Sequence, residues 1–257
     1  MAKINISKEE KNALIEGIYA GLITQRNLPA NIDLAIYQNI IEEVIKGFGS
    51  KLDELDPVSK EAVIMSNFTA NVSEFTAAKT FHQVNEMQKR VFVGGRKVQF
   101  EVFKKDAEKI YSLFNKTWQE VERRTALLQS IGARNWVDID RDKDLFPLLM
   151  YQAINDERVR PEHEELDNIV RPVNDRFWDL YYPPNGWNCR CDVIQLSEGE
   201  REVTTKTKGD WEISSVDKVF RNNAAKSGKI FLDNHPYFTV PERYESLKRD
   251  NFNLPKF

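Results

Sequence analysis

Three side chains with soft donor atoms fall close together near the middle of the C-terminal half: His163, Cys189 and Cys191, in a chain with only two cysteines and three histidines. In an extended segment, residues two apart point to the same side, so Cys189 and Cys191 would present both sulfurs to one face. Pro183-Pro184-Asn185-Gly186 dictates a tight reversal just before them. A 25-residue excursion brings His163 alongside, and one imidazole with two thiolates is a zinc-type donor set. A fourth ligand is missing locally, with His235 or Asp156 as the candidates. The plainer reading, which is preferred, is two small buried cysteines and a histidine bonded to the turn backbone. Under that reading the chain has no cofactor, and zinc is the one metal its donors would suit. A bridge between cysteines one residue apart would close a small strained ring, which favours free thiols or metal ligands.

Nucleophilic catalysis by a cysteine with His163 would need a thiol of lowered pKa, an open cleft and an oxyanion hole, none of which is written in the sequence. Glu164 and Glu165 are adjacent and point in different directions on a helix, so they read as solvated charges. Asp138, Asp140, Asp142 and Asp144 alternate as in a calcium loop but lack its central glycine and its twelfth-position glutamate. Arg158 and Arg160, among Asp156, Glu162, Asp167 and Asp175, suit ion pairs that pin the loop. Trp178 and Trp187, with Phe177, Tyr181 and Tyr182, would give this turn-rich segment its own apolar core.

The elements that must position these residues fall in two textures. Ser7 and Glu10 have capping-box spacing, and Leu14, Ile18 and Leu22 continue as a stripe, predicting a helix over residues 7–22. Ile36, Ile40, Ile41, Val44 and Phe48 predict a second helix ending at Gly47 and Gly49. Phe68, Val72, Phe75 and Ala78 mark a third, and Phe103, Ala107, Ile110, Phe114, Trp118 and Val121 a fourth. Gly94-Gly95 suits either a hairpin or a helical connection, with the helical connection preferred. Residues 137–146 read as a loop, 148–154 as a buried strand, 162–168 as one helical turn, and 216–225 as a short helix. Asn234 to Tyr237 reads as a strand end and turn docking on the main body. The expected class is α+β: a mainly helical N-terminal half and a small mixed α/β, turn-rich C-terminal domain. The expected division is a helical domain over 1–140, a signature domain over 141–200, and a C-terminal extension over 201–257 packing on the main body.

Composition narrows the function classes. The chain is 41% hydrophobic with a net charge of -3, and it has no apolar run long enough to span a bilayer. The N-terminus has mixed charges and no secretory apolar stretch, so cytosolic synthesis is expected. Residues 79–124 carry 11 basic and 6 acidic side chains, among them Lys89, Arg90, Arg96, Lys97, Lys104 and Lys105. Such a segment could meet nucleic-acid phosphates, although a solvated helical face is the simpler reading.

The order Asp156, Arg158, His163, Leu166, Trp178, Pro183, Pro184, Asn185, Cys189, Arg190, with Trp187 and Cys191 completing the turn, resembles the signature of the phage Mu F-like minor head proteins, also called phage head morphogenesis proteins. Residues 66–88, 101–126 and the tryptophan of ARNW resemble the helical part of the same family. Asn168 departs from the pattern, standing where many relatives have glycine. The resemblance implies a minor component of a tailed-phage or prophage capsid, assembled in the bacterial cytoplasm. It implies contact with portal and capsid proteins and packaged DNA, a place at the portal or inner shell, and in some members ejection with DNA. It implies no catalytic activity for the core domain. The alternative is a metal-dependent or nuclease-like hydrolase centred on His163, Cys189 and Cys191.

Overall fold

A computed structural model describes residues 6–205 and 214–257. The part of the C-terminal extension at 206–213 lies outside the described residues. The chain is α+β, with helices dominating the N-terminal half and a mixed α/β C-terminal part. It divides into two compact units: unit 1 is Met1–Glu43, Thr69–Arg123 and His235–Phe257; unit 2 is Val44–Phe68 and Arg124–Asn234.

The first helix, α1 (Lys8–Ala20), begins where the capping box places it. Ser7 Oγ accepts from Glu10 N at 3.0 Å and Glu10 Oε2 accepts from Ser7 N at 2.8 Å. It ends two residues earlier than the apolar spacing suggests, because Gly21 takes a left-handed conformation (φ 78) and leaves Leu22 70% exposed. Helix α2 (Ala30–Phe48) and helix α3 (Lys60–Gln88) follow. Their stripes are buried at Ile36, Ile40, Val44, Phe68, Val72, Phe75 and Ala78. The Gly94-Gly95 step is a hairpin and not a helical connection: β1 (Phe92–Val93) pairs antiparallel with β2 (Arg96–Lys97). Both glycines have positive φ, 59 and 77, as the two-residue turn that matches strand twist requires. The fourth stripe becomes α4 (Phe100–Ser112), a π-helical turn over Leu113–Trp118, and α5 (Gln119–Asp142).

Helix α5 runs through residues read as a loop. Ala133, Trp136 and Ile139 are buried at three-residue spacing. Of the alternating aspartates, Asp144 lies beyond the helix and the others are ion-paired on it: Asp138 pairs with Arg141 at 2.8 Å, Asp142 with Arg141 at 2.9 Å, and Asp140 with Lys143 at 3.0 Å and with Lys60 at 2.6 Å.

In unit 2, β3 (Leu148–Gln152) is the centre of a three-stranded antiparallel sheet between β4 (Val170–Pro172) and β5 (Asp192–Leu196). It is buried on both faces, as a short continuous apolar run should be. Leu149 and Tyr151 enter a core with Trp136, Leu166, Trp178 and Phe220, while Leu148 and Met150 meet Val170 and Leu196. Short helices α6 (Pro161–Glu164) and α7 (Phe177–Leu180) fill the connections. The helix expected at 216–225 is instead a 3-10 turn over Lys218–Phe220 followed by α8 (Ala224–Ser227). Asn222 and Asn223 interrupt it by spending their side chains on backbone: Asn222 Nδ2 donates to Lys229 O at 2.7 Å, and Asn223 caps α8. In unit 1, His235 to Phe238 forms a 3-10 turn and not a strand end, and it packs its aromatic rings on Phe75. Helix α9 (Glu245–Arg249) follows.

Candidate metal centre

The Pro-Pro-Asn-Gly turn is held as a unit by one buried asparagine. Asn185 Oδ1 accepts from Tyr151 Oη on β3 at 3.0 Å, and its Nδ2 lies 3.4 Å from Tyr182 O and from Phe220 O. The turn's outer side is fixed to α5 by Tyr182 Oη donating to Gly132 O at 3.1 Å and by the Trp136 ring edge-on to Tyr182 at 4.8 Å. Pro183–Pro184 is a cis peptide.

Pro161 starts α6 and carries His163 into the interior, where it is 3% exposed. His163 Nε2 is 3.1 Å from Asn185 O. A carbonyl can only accept, so Nε2 bears the hydrogen and the Nδ1 lone pair is left facing the other way. There it meets Cys191 Sγ at 3.4 Å and Cys189 Sγ at 3.8 Å. The three donor atoms lie within 4.8 Å of one another, so the same-side placement read from the C-x-C spacing is realised. The segment 189–191 immediately precedes β5 and is not itself a strand. Gly186 permits the close approach, because a Cβ there would stand 2.7 Å from Arg160 Nη1 and 3.3 Å from His163 Nε2.

The two free thiols are not equivalent. Cys189 is buried, and the neighbouring Cys191 sulfur together with burial pushes its pKa up. Cys191 is half-buried and held well below the usual thiol range by the hydrogen bond from Cys189, aided by His163. A cavity of about 270 Å³ adjoins them, lined by Arg124, Arg158, Arg160 and Arg190 together with Ile154, Val159 and Asn188.

The other predicted site residues take supporting places. Asp156 forms a two-pronged ion pair with Arg190, both contacts at 2.7 Å, and accepts from Arg158 N at 3.0 Å, which holds its carboxyl well below the usual range. Of the two arginines expected to form ion pairs in the loop, Arg158 stands 3.8 Å from Asp156, whose tighter partner is Arg190. Arg160 instead donates to Trp187 O. Trp178 is fully buried, and Trp187 is half-buried with its ring edge-on to Phe220 at 4.8 Å. Asn168, the departure from the signature, has φ 59, the left-handed conformation glycine adopts freely and asparagine tolerates best among the rest. Of the two fourth-ligand candidates, Asp156 is engaged by Arg190. His235 sits in unit 1, where its Nδ1 accepts from Tyr237 N at 3.2 Å.

A second buried polar set, in unit 1, was not foreseen from sequence. Lys79 and Glu122 form a buried ion pair, and Tyr237 Oη donates to the other Glu122 oxygen at 3.1 Å. The available signal was Lys79 standing between Phe75, Ala78 and Phe81 on an otherwise apolar face.

Residues 99–194 match the family model described as Phage Mu protein F like protein. The chain is 32% identical over 180 residues, 70% of its length and 38% of the relative's, to the protein named "Putative capsid assembly protein F" of Escherichia phage Mu. It is 36% identical over 75 residues, 29% of its length and 18% of the relative's, to the Mu-like prophage FluMu F protein of Haemophilus influenzae. The chain therefore spans less than half the length of these relatives. No solved structure matches it.

Proposed function

Since residues 99–194 make this chain a member of the Phage Mu F-like family, we propose that it serves as a minor head protein of a tailed phage or prophage, acting in capsid assembly at the portal or the inner face of the shell. The observation that carries this reading is the similarity over 180 residues to a phage Mu protein named for capsid assembly. Its work is contact and not turnover. The turn that joins Asn185 to Tyr151, Tyr182 and His163 acts as a rigid platform, and the helical part supplies the partner-binding surface.

Two features of unit 1 support such a surface. The β1–β2 hairpin leaves Phe92 57% and Val93 64% exposed beside the exposed Arg96 and Lys97. An apolar tip with basic flanks suits a partner that is partly apolar and acidic. Lys89, Arg90 and Lys105, also exposed, extend the basic character toward packaged DNA, and passage of the protein out of the head with that DNA is the furthest extension of the proposal. No helix among the described residues is long and apolar enough to cross a membrane.

Quantitative mass spectrometry of purified particles tests the reading. The protein is expected in few copies per head, and particles made without it should fail in assembly or in DNA retention. Complete heads that lack the protein and are equally infectious would refute it.

A further inference from the structure

The imidazole and the two sulfurs of unit 2 carry a step beyond assembly. We propose that His163 Nδ1, Cys189 Sγ and Cys191 Sγ bind one zinc-class divalent ion whose fourth coordination position opens into the arginine-lined cavity, where it takes an oxyanion of the phosphate class.

The ligand set is prepared by the residues behind it. Asn185 O fixes the Nε2–H tautomer, and Tyr151 in turn holds the asparagine, so the imidazole is oriented with its lone pair already pointing at both sulfurs. In a tetrahedral centre with Zn–N near 2.1 Å and Zn–S near 2.3 Å, nitrogen and sulfur stand about 3.6 Å apart. The observed separations, 3.4 and 3.8 Å, fall on either side of that value. With an ion bound, both sulfurs serve as thiolates, any protons they carry go to solvent, and all three donors are used. One nitrogen and two sulfurs select zinc over the oxygen-seeking magnesium and calcium.

Three protein ligands leave one position free, and its surroundings indicate what enters. Two thiolates cancel the charge of a divalent ion. Four arginines nonetheless line the cavity, Arg124, Arg158, Arg160 and Arg190, and among the described residues no Asp or Glu does. Asp156 offsets part of this from behind Arg190 and Arg158. The remaining positive charge favours an anionic oxygen ligand that spans the metal and the guanidinium groups.

Metal analysis of the full chain, purified without chelator or polyhistidine tag, should find one zinc per chain. Cys189→Ser, Cys191→Ser and His163→Gln should each lose it, with circular dichroism recording whether each variant folds. Cobalt loading of the unmodified chain needs no variant. It should give intense thiolate charge-transfer bands, and added inorganic phosphate should shift the visible bands. Arg124→Gln should keep the metal but weaken the phosphate response about tenfold. A folded, reduced chain that takes up neither metal and leaves both thiols free overturns the centre. A cobalt spectrum of four protein ligands, indifferent to phosphate, overturns the open position.

Discussion

In unit 1, Tyr237 organises a buried polar cluster: its hydroxyl reaches Glu122, its carbonyl lies 3.0 Å from His82 Nε2, and its amide donates to His235 Nδ1. In unit 2, Asn185 plays the corresponding part among Tyr151, Tyr182, Phe220 and His163. Both clusters bury histidine and both hang on one backbone turn. They differ at the end of the chain of contacts. The charges of unit 1 close on each other, Lys79 on Glu122, among rings of Phe75, Phe114 and Tyr237. In unit 2, Nδ1 and two sulfurs converge beside a cavity. A closed polar set specifies a core, whereas a convergent set of lone pairs is a place for a ligand.

The sharpest way to break this comparison is to open the closed cluster. Lys79→Met strands Glu122 in the interior with only the Tyr237 hydroxyl, and it should cost about 3–5 kcal/mol, read as a lowered denaturant midpoint at unchanged slope. Adding Glu122→Leu should recover part of the loss, because two apolar side chains need no partner while the Tyr237 hydroxyl loses its acceptor. A mild single variant would mean that water reaches the pair and that unit 1 is not closed.

Acid and base should then pull unit 1 in opposite directions. Burial raises Asp33 to about 7, with the Thr76 and Thr80 hydroxyls only partly offsetting it, while the unfolded value is near 3.8. Its contribution is therefore full below about pH 4 and is lost as pH rises through 7. Burial, with the charges of Lys79 and His82, lowers His235 to about 4 from 6.5. Its contribution is full above pH 6.5 and is lost as pH falls through 4. The two slopes oppose each other over one window, so the unmodified chain should show little net dependence from these groups. Asp33→Asn should gain on the order of a few kcal/mol at pH 8 and expose the His235 term as stability that falls between pH 7 and 5. Urea midpoints at pH 5 and 8 measure it, and profiles of the same shape for both proteins would sink the account.

The platform in unit 2 should respond more gently. Trp187→Ala removes a half-buried ring from Phe220 and should cost about 1–2 kcal/mol, less than truncation of a fully buried tryptophan. An unchanged melting temperature would remove Trp187 from the platform.

What could be read in advance was local. The Ser7–Glu10 box, the stripes of α2 and α3, the buried strand at 148–152 and the shared side of Cys189 and Cys191 each follow from spacing within a few residues. Local signals also misled: alternating acids at 138–144 hid the Ala133, Trp136, Ile139 stripe, because ion pairs one turn apart solvate a helix as well as a loop. The remainder is long-range. Nothing near Asn185 says that Tyr151 and Phe220 will bond it, nothing near Lys79 announces Glu122 43 residues away, and Arg124 joins the cavity from a different element.

The smallest expected effect makes the same distinction from the surface. Arg190 and Asp156 meet in a better geometry than most ion pairs, yet their side chains are 34% and 38% exposed, where water and salt already screen both charges. Arg190→Gln should leave the denaturant midpoint within error, while the Asp156 carboxyl, freed of the guanidinium that holds its pKa down, moves back toward the ordinary range in an NMR titration. The pair would then be a local charge device on the cavity rim and not a support of the fold. A loss approaching that of Lys79→Met would instead make the rim as integral to unit 2 as the buried pair is to unit 1, and the contrast between closed and open clusters would have to be redrawn.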